Sequence, residues 1–222
     1  MIKPYDIVTF DCYGTLIDWE EGIAEVLLSA ARRDGIRLDR ETALADYARI
    51  EPQVESENYQ DYRAVLAETA RRVAAGASWR LPPERTGILA DSLPGWSPFP
   101  DATEALERLK RAGFLLGILS NIDDDLLDMT RRRFPVPFDL IVTARQVRSY
   151  KPAPAHFAEA RNRIGGDRWL HAAQSHFHDI VPAMRMGIPA AWINRKGEAL
   201  PAGASPPDFE VRTLSDLADR LC

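Results

Sequence analysis

Four short groups of polar residues stand at the ends of apolar stretches, and together they could carry out a reaction. A carboxylate can attack an electrophile or accept a proton, and a nearby ammonium favours its ionised form. Hydroxyl and amide groups can donate hydrogen bonds to a leaving anion. The four groups are Asp11 to Thr15, Ser120 with Asn121, Ser149 to Lys151, and Gln174 to Asp179.

The elements that carry these groups predict that the groups converge. Five nearly continuous apolar runs have strand character, and helical segments alternate with them from about residue 100. This alternation is typical of a doubly wound α/β domain with a parallel sheet, in which the carboxyl ends of the strands meet at one edge. The predicted strands are 6–11, 114–121, 138–144, 169–175 and 190–195, with 209–213 as a candidate edge strand.

Residues 18 to 95 interrupt the alternation and are rich in strong helix formers. They predict a helical cap inserted after the first strand, which would cover the carboxyl end of the sheet. The core would then comprise 1–17 and 96–222. At the start of the first core helix after this insert, Asp101 and Glu104 have the spacing of a capping box.

Composition excludes several classes of partner. The 222 residues carry 28 Lys and Arg against 33 Asp and Glu, a formal net charge of -5, so no basic surface for nucleic acid is expected. No apolar run approaches the length of a membrane span, and the N-terminus does not resemble a signal peptide. Cys12 and Cys222 are far apart, as in proteins of a reducing compartment. We therefore expect a cytoplasmic protein that acts on a small molecule; a homodimer is compatible with the sequence.

The four polar groups resemble the signature motifs of the haloacid dehalogenase (HAD) superfamily of hydrolases. The match covers residues 1–17 and about 96–200, and the insert occupies the position of the family's helical cap. This resemblance implies that Asp11 is a nucleophile that forms a covalent aspartyl intermediate. The matching segments are Asp11-Cys12-Tyr13-Gly14-Thr15-Leu16, Leu119-Ser120-Asn121, Tyr150-Lys151-Pro152, and Ser175 through Asp179.

Two departures distinguish the chain from the phosphatases of this superfamily. Tyr13 stands where they usually have a second Asp, and Ala173-Gln174-Ser175 stands where they have Gly-Asp-Ser. Without these acids the site lacks a proton donor for an alkoxide and much of the charge that holds Mg²⁺. A halide leaves without a proton. The pattern resembles the 2-haloacid dehalogenases, which implies a small anionic substrate and no cofactor or metal.

The resemblance also assigns roles to the other residues. Lys151 would keep Asp11 ionised and help to bind the substrate carboxylate, and Asp179 would orient Lys151 or activate water. Thr15, Ser120 and Asn121 would donate hydrogen bonds, while Tyr13, Ser175 and His176 complete the substrate site.

A cap arginine usually binds the halide; Arg49 is our choice over Arg37, Arg40 and Arg63. Phe157 and His176 differ from the Tyr and Asn of known dehalogenases, which leaves the substrate open.

Two other functions remain compatible with the sequence. A phosphatase of small monoesters would keep Asp11 and require Mg²⁺. A binding protein would retain the pocket without turnover. A metal site at His176, His178 and Asp179 is not preferred, because alternate residues of a short loop seldom converge on one ion.

Overall fold

The sheet confirms the predicted α/β fold. The computed structural model describes residues 3–166 and 168–222, and over these residues six strands form one parallel sheet in the order β3-β2-β1-β4-β5-β6. The chain builds outward from β1 on one side and then returns to its other side with β4. The strands are β1 (Ile7–Phe10), β2 (Leu115–Ser120), β3 (Leu140–Thr143), β4 (Trp169–Ala173), β5 (Ala190–Ile193) and β6 (Phe209–Val211).

The central strand β1 is buried throughout because both faces of the sheet are covered. All four of its residues are buried, as expected for a strand inside a parallel sheet. Gly117 of β2 lies beside it, and a Cβ at this position would come within 2.9 Å of the Thr9 methyl group. The glycine therefore lets β2 pair closely with the strand that ends at Asp11.

Helices follow the strands and also form the insert. Within the described residues, no helix combines the length and the apolar character that a membrane span requires. The helices are α1 (Trp19–Arg33), α2 (Arg40–Glu57), α3 (Tyr62–Gly76), α4 (Ile88–Ser92), α5 (Ala102–Arg111), α6 (Asp124–Arg131), α7 (Ala144–Val147), α8 (Ala155–Ile164), α9 (Val181–Arg185) and α10 (Leu214–Leu221).

The chain divides into two compact units. The core unit comprises residues 1–17, 98–121 and 133–222, and the helical unit comprises 18–97 and 122–132. The sequence predicts that 122–132 belongs to the core, and the structure differs. These residues join the helical unit because the buried Asp123 carboxylate accepts hydrogen bonds from the backbone N–H groups of Tyr62 and Arg63, both at 2.9 Å. Asp123 thus supplies the acceptor at the N-terminus of α3.

The capping box predicted at Asp101 and Glu104 does not form. The Asp101 side chain makes no capping bond to α5. It accepts instead from the Leu214 backbone N–H at 2.6 Å and pairs with the Arg195 guanidinium. The charged Arg195 guanidinium and the buried Leu214 N–H both come from distant segments. They bind the Asp101 carboxylate in place of the N–H groups of α5.

We predict that Asp123→Ala destabilises the protein more than Asp125→Ala does. Loss of Asp123 leaves two helix N–H groups without their acceptor, which should lower the free energy of unfolding by about 1 to 3 kcal/mol. Asp125 forms an exposed ion pair with Arg63, worth about 1 kcal/mol or less. Urea denaturation of the two variants and the wild type measures the difference. Equal losses would contradict the capping role of Asp123.

Candidate active site

A tight turn after β1 holds the Asp11 carboxylate at the end of the strand. Gly14 adopts a φ of +98°, a conformation that strains other residues, and this brings Thr15 back toward Asp11. The Thr15 hydroxyl accepts a hydrogen bond from the Gln174 N–H at 2.9 Å and donates one to Asp11 Oδ2 at 3.1 Å. The turn therefore orients the hydroxyl hydrogen toward the carboxylate.

Lys151 lies buried between two carboxylates. Its Nζ is 2.9 Å from Asp11 Oδ1, 2.5 Å from Asp179 Oδ1 and 2.8 Å from the Leu119 carbonyl oxygen. An ammonium has three hydrogens to donate, so these three acceptors match its full capacity. Only 2% of the Lys151 side chain is exposed, against 11% of Asp11 and 1% of Asp179.

Asn121 fixes the backbone of Lys151. Its Oδ1 accepts from the Lys151 N–H at 2.7 Å, and its Nδ2 donates to the Lys151 carbonyl at 3.1 Å. The two bonds join the end of β2 to the segment after β3. This geometry fixes the backbone from which the Lys151 side chain extends.

The electrostatics differ between the two carboxylates. Burial raises the pKa of Asp11 to about 6, although the Lys151 ammonium opposes this change. Burial also acts to raise the pKa of Asp179, but Lys151 and a hydrogen bond from His171 outweigh it and lower that pKa to about 2. The two carboxylates raise the pKa of Lys151 against the effect of its own burial. All three groups are thus charged at neutral pH, and Asp11 has the higher pKa of the two carboxylates.

The other predicted site residues lie at several positions. Ser120 is buried at the end of β2, and Tyr13 is half-buried in the turn after β1. Ser175 begins a π-helical turn, His176–Ile180, and its hydroxyl accepts from the His178 N–H. The His176 ring contacts the Trp192 ring, with centroids 5.1 Å apart.

The predicted halide ligand Arg49 lies on α2 of the helical unit. Its guanidinium pairs with Asp46 at 2.6 Å, and 59% of its side chain is exposed. Arg63 pairs with Asp91 and Asp125 in the same unit. The choice among the cap arginines stays a prediction.

Sequence reasoning missed three residues that support the site. His171 contacts Asp179, His156 Nε2 lies 3.1 Å from the Ser120 carbonyl oxygen, and Arg195 donates to the Thr15 carbonyl at 2.8 Å. Burial lowers the pKa of His156 to about 3 and also lowers that of His171, so both rings are neutral. A histidine inside an otherwise apolar strand or buried helix face was the available signal, since such a ring requires polar partners.

The donor set offers little to a metal ion. Among the described residues, no three His, Cys, Asp or Glu side chains are grouped as metal ligands would be. At the loop that carries His176, His178 and Asp179, the His178 ring contacts the Ser175 hydroxyl through Nδ1 at 3.1 Å.

A buried, ionised carboxylate at the tip of the first strand suits nucleophilic hydrolysis, and comparison with known proteins agrees. A family model described as haloacid dehalogenase-like hydrolase matches residues 5–172. The chain belongs to this family. The hydrolase is 27% identical over 226 residues to an (S)-2-haloacid dehalogenase of Pseudomonas fluorescens, with 99% of this chain and 98% of the relative covered.

Solved structures share the fold of this hydrolase. The L-2-haloacid dehalogenase of Xanthobacter autotrophicus, solved with chloropropionic acid covalently bound, has a TM-score of 0.82 at 21% identity, with 97% of both chains covered. The protein YfnB of Bacillus subtilis, bound to magnesium, also has a TM-score of 0.82, at 19% identity with 98% of both chains covered. At these identities the likeness establishes the fold.

We predict opposite effects on stability for the two Asp→Asn substitutions of the site. The folded state binds the Asp11 proton more tightly than the unfolded chain does, because its pKa rises from 3.8 to about 6. Ionisation of Asp11 therefore destabilises the folded state. This destabilisation is absent below pH 3.8, grows as the pH rises to about 6 and is complete above it. Asp11→Asn should therefore raise the free energy of unfolding at pH 7.5, by at most about 3 kcal/mol.

Asp179→Asn should lower the free energy of unfolding by about 2 kcal/mol at the same pH. Its pKa is depressed to about 2, so its contribution is present above pH 3.8 and is lost as the pH falls through about 2. Urea denaturation at pH 7.5 measures both variants. If Asp11→Asn destabilised the protein as much as Asp179→Asn does, the proposed difference in pKa between the two carboxylates would be contradicted.

Proposed function

We propose that this hydrolase removes the halogen from a small 2-haloacid through a covalent ester on Asp11. The observation that carries the proposal is the environment of Asp11. Its carboxylate is buried, ionised at neutral pH and held at both oxygens, by Lys151 on Oδ1 and by Thr15 on Oδ2. Desolvation and fixed orientation are what a carboxylate needs to displace a leaving group from carbon.

In the first step, an Asp11 oxygen forms a bond to the carbon that carries the halogen. The carbon–halogen bond breaks, and the halide leaves with the bonding electron pair. No proton is needed, which fits Tyr13 and Gln174 at the positions where phosphatases of this superfamily usually carry acids. Lys151 loses one anionic partner in this step, because the ester of Asp11 is neutral.

In the second step, water attacks Asp11 Cγ and passes one proton to Asp179. The bond between Cγ and the product oxygen breaks, and the product alkoxide takes the second proton of that water. Asp11 returns as a carboxylate, and Asp179 releases its proton to solvent. Each turnover therefore consumes one water and releases one hydroxy acid, one halide and one proton.

The relatives support the substrate class. The curated protein of Pseudomonas fluorescens is named an (S)-2-haloacid dehalogenase, and the Xanthobacter autotrophicus enzyme holds chloropropionic acid covalently. Both names fit a carboxylate nucleophile and a small anionic haloacid. We extend the activity to this chain on the strength of the Asp11 environment.

The residues at the site do not suit Mg²⁺, although one structural neighbour binds it. Lys151 lies between the two carboxylates at 2.9 and 2.5 Å, and a hard divalent cation would compete with it for the same oxygens. Mg²⁺ also favours several oxygen ligands in octahedral geometry, whereas Tyr13 and Gln174 replace the acids that would complete the set. We therefore propose a reaction without metal or other cofactor.

We assign the remaining predicted residues by the same proposal. Ser120, Tyr13, Ser175 and His176 would contact substrate or halide, and Arg49 is our candidate halide ligand. The helical unit is our candidate for the family's cap. A cytoplasmic location and a homodimer stay predictions; the location is supported by the free thiols of Cys12 and Cys222.

We predict halide release from 2-chloropropionate that requires Asp11 and persists in EDTA. Asp11→Asn should lose activity by roughly 10³-fold or more, whereas Asp219→Asn, at an exposed ion pair with Arg108, should retain it. In a single turnover in H₂¹⁸O, mass spectrometry should find ¹⁸O in Asp11 and ¹⁶O in the product hydroxyl.

Three results would reject this proposal. They are turnover that depends wholly on Mg²⁺, product formation with no label in Asp11, and ligand-induced thermal stabilisation without any product. The first would favour the phosphatase, which p-nitrophenyl phosphate tests directly, and the last would favour a binding protein.

We predict that kcat/KM rises with pH through about 6 and is constant above it. The nucleophile must be ionised, and burial raises the pKa of Asp11 to about 6. Thr15→Val should move this acidic limb to higher pH, because the Thr15 hydrogen bond lowers the pKa of Asp11. Thr15→Ser keeps the hydroxyl and serves as control. An acidic limb near pH 4 in the wild type would contradict the burial of the nucleophile.

A further inference from the structure

A row of hydrogen bonds runs through the buried face of β1 and β4 and ends at Asp179. Thr9 and His171 are direct partners in the register of these strands, and Trp169 lies two residues before His171 on the same face. Trp169 Nε1 is 2.6 Å from Thr9 Oγ1, Thr9 Oγ1 is 2.9 Å from His171 Nδ1, and His171 Nε2 is 3.1 Å from Asp179 Oδ1.

The chemistry of the two ends fixes the direction of every bond in this row. The Trp169 indole can only donate, so the Thr9 oxygen accepts from it. The Asp179 carboxylate can only accept, so the neutral His171 ring carries its hydrogen on Nε2. His171 Nδ1 is then an acceptor, and the Thr9 hydroxyl donates to it. The row therefore selects one tautomer of His171.

Packing fixes the plane of the same ring. Phe157 contacts His171 edge to face, with ring centroids 5.1 Å apart at 89°, and neither side chain is exposed. A ring held in one plane and one tautomer directs its Nε2–H at Asp179 Oδ1. Lys151 donates to that same oxygen, so both of these donors bind one side of the carboxylate.

We propose that His171 is a positioning residue for the second step of the reaction, an inference that rests on the proposed function. With Oδ1 held by two donors, the Asp179 carboxylate presents Oδ2 to the water that attacks Asp11 Cγ. The hydrogen bond from His171 also favours the ionised form of Asp179 after Asp11 has become a neutral ester. His171 touches neither substrate nor water in this role.

This role predicts that loss of His171 slows ester hydrolysis more than ester formation. His171→Leu removes both ring nitrogens at similar volume. With 2-chloropropionate in a rapid-quench single turnover, halide release should change by less than about threefold. Hydroxy acid release should slow by at least about tenfold, since positioned proton transfer contributes roughly 10² to 10⁴. The Asp11 ester should then accumulate and appear in the intact protein mass.

Two further measurements separate positioning from a general loss of structure. His171→Gln retains an N–H near the position of Nε2 and should restore most of the hydrolysis rate. In His171→Leu, the acidic limb of the hydrolysis step should move to higher pH, because Asp179 has lost one of its donors. Should His171→Leu fail to fold, Thr9→Val against Thr9→Ser gives the same comparison, because only serine keeps the hydroxyl that donates to Nδ1.

The outcomes distinguish this inference from the proposed function. Equal slowing of both steps in His171→Leu, or no change in their ratio, overturns the role of His171 while the wild-type ester upholds the dehalogenase proposal. No ester and no halide from the wild type would reject the dehalogenase proposal and this inference together. Selective accumulation of ester, reversed in His171→Gln, supports both.

Discussion

The candidate site depends on one buried ammonium shared by two buried carboxylates. Removing any of these charges from water is costly, and burial is tolerated only when the partners are close and fully hydrogen-bonded. Lys151 meets this condition with three acceptors at 2.5 to 2.9 Å. The group still carries one more negative charge than positive, so ionisation of the second acid always works against the fold.

Neighbouring residues decide which acid bears this cost. Asp179 receives a second buried N–H, from His171, and its pKa falls to about 2, whereas Asp11 receives the Thr15 hydroxyl besides Lys151 and its pKa rises to about 6. The cost of ionising the second carboxylate therefore falls on Asp11, the residue that becomes neutral when it forms an ester. Esterification relieves the repulsion between the carboxylates, so the arrangement that destabilises the folded protein favours the first chemical step.

The sequence predicts Asp11, Lys151 and Asp179 because each follows an apolar strand and parallel strands end at one edge. It did not identify the contacts of His171, because a single histidine inside an apolar run indicates that polar partners are needed but does not locate them, and its partner Thr9 is 162 residues away. The sequence was wrong about the capping box at Asp101, because the Leu214 N–H and the Arg195 guanidinium, both distant in sequence, bind that carboxylate. Features set by strand order were predictable, whereas features set by contacts between remote segments were not.

The net negative charge of the group formed by Asp11, Asp179 and Lys151 also limits how a haloacid could be bound. The substrate brings a further carboxylate, and a departing halide must be stabilised as an anion. Lys151 has no hydrogen left to donate while it binds Asp11, Asp179 and Leu119, so the reaction needs a second cationic group. Arg40, Arg49 and Arg63 all stand in ion pairs in which the arginine side chain is 45 to 59% exposed, and an exposed pair costs about 1 kcal/mol or less to break. Any of the three could therefore be released at a similar small cost, so the strength of these ion pairs does not decide among them and Arg49 stays a prediction.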